Sequence, residues 1–347
     1  MALFKTFGSN PSGKDLAEIV ASVNYKNKVF HNNTETITLR EGVSYIKLTW
    51  RFLNKPKYTA PSFPLPSIRT DLKSVAKDKP VIIWFGHSSY LIFINGKTIL
   101  VDPVLSGYAS PFSFTGKSFR GSDVYDTGDL PEIDLLILTH DHYDHLDYQT
   151  VLKLKNRTKA ICTSLGVGSH LQYWGFDKTM ITGFDWWDSR HVFEDTILTA
   201  APARHFSGRS FTRNKTLWSS FILQSGGYRI YIGSDSGYGS HFTDIGNKYG
   251  PFDIALLEAG QYNTDWPDIH MMPEQTVQAS LDLKAKVLMP VHWGKFALAL
   301  HPWDEPVKRV LAKAKELNVA VATPMIGEQV IISGNYPSSA WWENISS

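Results

Sequence analysis

From Pro80 onward, apolar residues come in short runs of strand length separated by polar turns. Val81–Phe85 and Tyr90–Ile94 are continuous apolar runs, and Asn95-Gly96 supplies the positive-φ residues that a two-residue hairpin needs before Thr98–Val101. A further strand is predicted over Ile133–Thr139, after a long loop. A second group follows: Thr196–Ala200, then Ser219–Gln224 turned by Ser225-Gly226-Gly227 into Tyr228–Ile232, then Asp253–Glu258 and Lys286–Val291. Helical periodicity appears over Pro273–Leu283 and after Asp304-Glu305-Pro306, where Val307, Val310, Leu311, Ala314 and Leu317 share one face. Two strand groups interleaved with helices predict an α/β sandwich with both sheets inside and the helices outside.

Residues 1–75 differ in texture. Ser12 and Asp15 mark a helix start with Leu16, Ile19, Val20 and Val23 on one face. Aromatic and apolar residues mixed with Pro56, Pro61, Pro64 and Pro66 predict an extended arm over Trp50–Pro66. The expected division is therefore a helix and arm over 1–75, packed on a main domain over 76–347. The arm either covers apolar surface of that domain or touches lipid.

Composition narrows the function. The 347 residues include 35 basic and 33 acidic ones, a formal net charge of +2, which points away from nucleic acid as a partner. With 43% apolar residues the chain can bury a large core. Its single cysteine, Cys162, cannot build a zinc–thiolate cluster, so a metal would be held by nitrogen and oxygen, and 12 histidines are available. No run approaches the roughly 20 apolar residues of a spanning helix. The N-terminus also lacks the basic and apolar pattern of a secretory signal, so a cytoplasmic protein is expected.

The candidate chemistry follows the strand at Ile133–Thr139. His140-Asp141-His142-Tyr143-Asp144-His145 reads H-x-H-x-D-H, four metal donors within six residues. A strand end followed by a turn lets His140 and His142 point the same way while Asp144 and His145 face a neighbouring position. That arrangement suits two metals about 3.5–4 Å apart. Donors without thiolate favour zinc, with manganese or iron as alternatives. Two metals need further ligands, and His205, Asp235 and His292 each lie just past the carboxyl end of a predicted strand. Asp102, also at a strand end, could accept a hydrogen bond from a ligand imidazole and fix its tautomer. His87 either lines the site or simply occupies the Gly86 turn. Arg209, Arg213 and Lys215 read as a solvated charge run, although they could meet a phosphate. His31, His170, His191, His241 and His301 lack ligand-like spacing.

With these residues the sequence resembles the metallo-β-lactamase superfamily, and within it the N-acyl-phosphatidylethanolamine-hydrolysing phospholipase D family and its bacterial relatives. The resemblance runs over roughly 50–335 and rests on Trp84-Phe85-Gly86-His87-Ser88-Ser89, Val101-Asp102-Pro103, Phe119-Arg120, Thr139 to Asp147, Asp185-Trp186-Trp187, Gly233-Ser234-Asp235-Ser236-Gly237-Tyr238, Gly250-Pro251-Phe252-Asp253 and the run His292–Leu298. It implies an αβ/βα four-layer sandwich with two zinc ions. By the same resemblance, His140, His142 and His205 would hold one ion, Asp144, His145 and His292 the other, and Asp235 would bridge them. A hydroxide shared by the ions would be the nucleophile, with Asp144 able to orient it. His270, in Asp268-Ile269-His270-Met271-Met272-Pro273, resembles a family histidine near the site. It either faces substrate, contacting phosphate or protonating the leaving oxygen, or is a helix-start residue with only local hydrogen bonds.

The resemblance implies a zinc-dependent phosphodiesterase that releases phosphatidic acid and an N-acylated ethanolamine from a phospholipid-like substrate at the membrane periphery. Metal-hydroxide chemistry attacks carbonyl centres as readily, so a lactonase or ester hydrolase is the alternative. Similarity outside the ligands, at Asp185-Trp186-Trp187 and His292–Leu298, favours the phosphodiesterase.

Overall fold

Two sheets stack face to face, and the alternation of side chains along their strands accounts for the layers around them. The computed structural model describes residues 2–76, 78–209 and 212–345. The N-terminal region contributes α1 (Ala2–Lys5), α2 (Gly13–Val20), the short strands β1 (Tyr25–Lys26) and β2 (Val29–Phe30), and α3 (Tyr45–Leu53). The first sheet takes β3 (Val81–Trp84), β4 (Tyr90–Ile94), β5 (Lys97–Val101) and β6 (Ile133–Leu138). It continues through α4 (Tyr148–Leu154), β7 (Thr158–Ser164), α5 (Gly168–Tyr173) and β8 (Ile181–Phe184). The second sheet takes β9 (Ser189–Phe193), β10 (Thr196–Pro202), β11 (Ser219–Ser225) and β12 (Tyr228–Ile232). After α6 (His241–Tyr249) come β13 (Ile254–Glu258), α7 (Pro273–Asp282), β14 (Leu288–Val291) and α8 (Glu305–Leu317). Finally β15 (Gln329–Ile331) returns to the first sheet beside β3.

Strand order is β15-β3-β4-β5-β6-β7-β8 in one sheet and β14-β13-β12-β11-β10-β9 in the other. Each sheet opens with antiparallel hairpins and ends in parallel strands. Along β3, Ile82 and Trp84 enter the core between the sheets with Leu198, Phe221 and Leu256, whereas Val81 and Ile83 face outward to Val151, Leu154 and Leu171 of the helices. On the other side Tyr231, Ala255 and Leu257 face Phe242, Ile245, Val277 and Val310 of α6, α7 and α8. The result is the expected αβ/βα four-layer sandwich. Because both sheet faces are covered, the inner strands read as unbroken apolar runs.

Topology also gathers the site. The carboxyl ends of β3, β5, β6, β10, β12, β13 and β14 point to one edge of the sandwich, since these strands run parallel to one another within their sheets. The hairpin turns at Asn95-Gly96 and Gly226-Gly227 lie at the opposite edge.

The N-terminal region differs from expectation in two places. Helix α2 forms, but only Ile19 of its apolar face is buried, in a cluster with Phe30, Trp186 and Trp218; Val20 and Val23 remain exposed. The Trp50–Pro66 stretch is not extended throughout, because α3 runs to Leu53 before the first proline at Pro56, started by Ser44 accepting from the Lys47 N–H. Among the described residues no helix is long and apolar enough to cross a membrane.

Candidate active site

The buried strand β6 ends at Leu138 and the chain turns sharply, with the His145 and Leu146 N–H groups donating to the His142 carbonyl at 3.1 and 2.8 Å. Asp147 then caps α4 by accepting from the Gln149 N–H. This turn carries four donors to the sandwich edge, where loops after other strands meet them in two groups. In the first, His140, His142, His205 and Asp235 offer donor atoms within 4.8 Å of one another. His142 Nδ1 lies 3.0 Å from His140 Nε2 and 3.2 Å from His205 Nε2, and Asp235 Oδ2 is 3.8 and 3.7 Å from those same two Nε2 atoms. The second group is His87, Asp144, His145 and His292. Asp144 Oδ2 is 2.8 Å from His87 Nε2 and 3.5 Å from His145 Nε2. The other oxygen of Asp235, Oδ1, is 3.2 Å from His145 Nε2 and 3.1 Å from His292 Nδ1. Asp235 thus stands between the groups.

These donor sets fit metal ions. Imidazole nitrogens about 3 Å apart repel through their lone pairs unless a proton or a cation lies between them. His145 Nε2, Asp235 Oδ1 and His87 Nδ1 are buried without a hydrogen-bond partner, which costs about 1–3 kcal/mol for each such group unless an ion satisfies it. Burial holds His140, His205 and His292 well below the ordinary histidine value, leaving the neutral form that binds metal. At His145, burial is outweighed by Asp235, Asp144 and Asp102, which raise it well above that value. At Asp235, burial is likewise outweighed, by His145 and His292, which hold its carboxyl well below the usual range.

Outer partners set the direction of the His145 and His205 rings. Asp102 Oδ2 is 2.8 Å from His145 Nδ1, and Asp102 also accepts from the N–H and hydroxyl of Thr139, so His145 presents Nε2. His205 Nδ1 donates to the Ile269 carbonyl at 2.8 Å, which leaves its Nε2 inward. At His292 the Ser88 hydroxyl lies 2.9 Å from Nδ1, the same nitrogen that faces Asp235 Oδ1. His87, Asp102 and His292 all adopt left-handed backbone, with φ of 52°, 39° and 67°. The turns of His87 and His292 hold each other there: the His87 N–H donates to the Trp293 carbonyl and the His292 N–H to the His87 carbonyl, at 2.9 and 3.0 Å. A Cβ at Gly233 would collide with the Leu256 carbonyl, so only glycine lets the loop carrying Asp235 lie against β13.

Comparison with known proteins places the chain in a family. The family model described as Beta-lactamase superfamily domain matches residues 97–293. An uncharacterised protein of Mycobacterium tuberculosis is 41% identical over 341 residues, covering 95% of this chain and 91% of its own length. The chain belongs to the metallo-β-lactamase superfamily. Within the superfamily it is related to N-acyl-phosphatidylethanolamine-hydrolyzing phospholipase D 1 of Caenorhabditis elegans, 29% identical over 264 residues, or 71% of this chain and 74% of the worm protein. A metallo hydrolase of the archaeon Ignicoccus hospitalis shares the superfamily fold, with a TM-score of 0.57 and 22% identity over 73% of this chain and 97% of the archaeal one.

His270 lies beside the first two donor groups, its ring 5.1 Å from that of His205 and 5.2 Å from that of His292, and makes a third group of donors with Asp235, Glu258 and His292. Its Nδ1 is 3.0 Å from Glu258 Oε2, while Glu258 Oε1 accepts from the Met271 N–H at 2.6 Å. Burial pushes the Glu258 carboxyl up to about 7. Burial of His270 is outweighed by Glu258, Asp235 and Asp144, which raise its value. Glu258 escaped sequence reasoning, although an acidic residue closing the otherwise apolar, wholly buried β13 is a signal. Of the remaining histidines, His170 is buried 3.1 Å from Asp141 Oδ2 and belongs to none of these donor groups. Arg209 corrects the reading of a solvated charge run. It is buried at 4% exposure and bonded to backbone carbonyls, while Arg213 is exposed and Lys215 only partly buried.

Proposed function

We propose that the chain is a metal-dependent hydrolase that holds two zinc ions and cleaves phosphodiester bonds, with N-acylated phosphatidylethanolamine-like phospholipids as its substrate class. The observation that carries the two-ion reading is Asp235, whose two oxygens face separate donor groups. His140, His142 and His205 with Asp235 Oδ2 would hold one ion. Asp144, His145 and His292 with Asp235 Oδ1 would hold the other, and His87 would fix the Asp144 carboxylate. Nitrogen and oxygen donors favour zinc, manganese and iron being the alternatives. The phospholipid reading is supported by the similarity to the worm phospholipase D.

When bound, two divalent cations supply Lewis acidity toward a phosphoryl oxygen and acidify water at neutral pH. Asp144 orients the attacking water against phosphorus. His270, its Nδ1 engaged by Glu258, has Nε2 left to protonate the departing alkoxide as the P–O bond on the ethanolamine side breaks. The products are phosphatidic acid and an N-acylated ethanolamine.

Residues 1–75 would serve this hydrolase domain, 76–347, as its contact with lipid. Ile46, Trp50 and Leu53 form an outward stripe on α3, 85%, 64% and 80% exposed, beside Lys47 and Arg51. Leu48 and Phe52 face inward against Trp266, Ile269 and Ala299, next to His270. Phe52 stacks on Trp266 at 6.2 Å, so it is not part of the lipid-facing set. Co-sedimentation with anionic vesicles should fall at least about fivefold in an Ile46/Trp50/Leu53 triple-alanine variant; equal binding would remove this role.

The test of the activity is turnover of a chromogenic phosphodiester by the purified protein, with a chromogenic lactone in parallel and a chelator added to each. Chelator-sensitive phosphodiester turnover that exceeds lactone turnover is expected. Dominant lactone turnover would keep the metal site and move the substrate to a carbonyl centre.

A further inference from the structure

The turn that carries H-x-H-x-D-H has buried carbonyls which its own strand and helix do not satisfy; their partner is Arg209, and the N-terminal segment in turn holds Arg209. Arg209 Nη1 donates to the Asp141 and Leu146 carbonyls, both at 2.7 Å, bracketing the ligand turn. The same guanidinium reaches the Thr6 carbonyl through Nη2 at 2.8 Å and Nε at 3.2 Å, and stacks 4.1 Å over the Tyr143 ring. Tyr143 in turn donates its hydroxyl to the Arg209 carbonyl and meets the Phe7 ring edge-on at 6.5 Å.

A second set of contacts runs through His170. The Ser9 N–H donates to His170 Nδ1 at 3.1 Å, which leaves His170 Nε2 to donate to Asp141 Oδ2 at 3.1 Å. Asp141 also accepts from the Gly208 N–H at 2.7 Å and the Thr216 hydroxyl at 2.9 Å. Gly8 sits at φ 69° directly over His170, where any Cβ would collide with the ring. Trp174 Nε1 fixes the near end of the segment by donating to the Lys5 carbonyl at 2.7 Å.

We propose that residues 5–9 form a clasp that fixes the ligand-bearing turn through Arg209 and His170, and thereby sets how slowly that turn releases metal. Arg209 and His170 are positioning residues, since neither belongs to a donor group. The inference rests on the reading of the turn as a metal site.

The test uses the full-length, metal-loaded protein. Transfer of metal to an excess of chromogenic chelator is timed for wild type, Gly8→Val and Arg209→Gln, and the melting temperature of each metal-free protein is measured alongside. Gly8→Val levers the clasp off His170, and Arg209→Gln removes the fork that grips both carbonyls. Release should quicken by about 10–100-fold in each variant, the range for loss of an outer partner of a metal site. Cobalt(II) bound in place of zinc should change its visible absorption, while metal-free melting temperatures stay within about 3 °C of wild type. Release within about twofold of wild type in either variant overturns the clasp. So does acceleration matched by a comparable loss of metal-free melting temperature, which would mark general destabilisation. If Arg209→Gln fails to fold, Gly8→Val decides alone. Wild-type protein that takes up no metal overturns the metal reading and the clasp with it, whereas metal-loaded wild type with unaffected variants overturns the clasp alone.

Discussion

The two donor groups are neighbours, yet they are buttressed by different chemistry. In the first, the rings are turned by uncharged oxygens: the Ile269 carbonyl at His205, and the Thr139 hydroxyl 3.1 Å from His140 Nδ1. In the second, a buried carboxylate, Asp102, backs His145, a second carboxylate, Asp144, is itself a donor, and His87 and His292 lock each other in left-handed turns. Negative charge and backbone constraint are thus concentrated on one side of Asp235. A carboxylate behind an imidazole makes that ligand more basic, so if the proposed two ions bind, they should be held with different strength. The second group should fill first and release last.

Removing what the groups share should have the largest effect. Asp235→Ala takes an oxygen from each, and kcat should fall by more than the roughly 100-fold upper figure for outer partners of a metal site, with metal content dropping below that of wild type. Retained metal and activity would show that the groups do not depend on this carboxylate. The asymmetry itself is tested by titrating metal into metal-free protein. Two resolved steps are expected, and Asp102→Asn should weaken the tighter step by about 10–100-fold and the weaker one by less, since Asp102 reaches that group only through the Thr139 hydroxyl. A single step for two ions, or an equal effect on both, would erase the distinction.

The smallest effect concerns His270, which lies beside both groups. On the proposed reading it acts as a general acid in its protonated form, which Glu258, Asp235 and Asp144 favour; rate should then fall as pH rises through its raised value. Glu258→Gln removes the partner carboxylate, so this limb of the pH–rate profile should move to lower pH, with kcat reduced by less than the about 10²–10⁴ that general acid catalysis supplies. A limb that stays in place would detach Glu258 from His270.

Legibility followed sequence distance. His140, His142, Asp144 and His145 could be read because one turn holds them, and His205, Asp235 and His292 because each follows an apolar strand. Arg209 could not, since its burial depends on a carbonyl at Thr6 that lies 203 positions away. His170 has a spacing that matches no ligand pattern, and its partners Ser9 and Asp141 come from separate parts of the chain. Strands β7 and β9 carry polar residues at positions where a strand signal needs apolar ones, and α3 was hidden by prolines that begin only after its end. The layered fold was legible because continuous apolar runs identify strands covered on both faces.

Gathering every donor at the carboxyl edge frees the opposite edge for other uses. There the turns that carry Asn95, Asp195 and Gly226 line one surface hollow, and Asp195 is exposed. An Asp195→Cys substitution for coupling to a bead or an electrode would therefore anchor the protein by the edge away from the donors, with the exposed face of α3 left free in suspension.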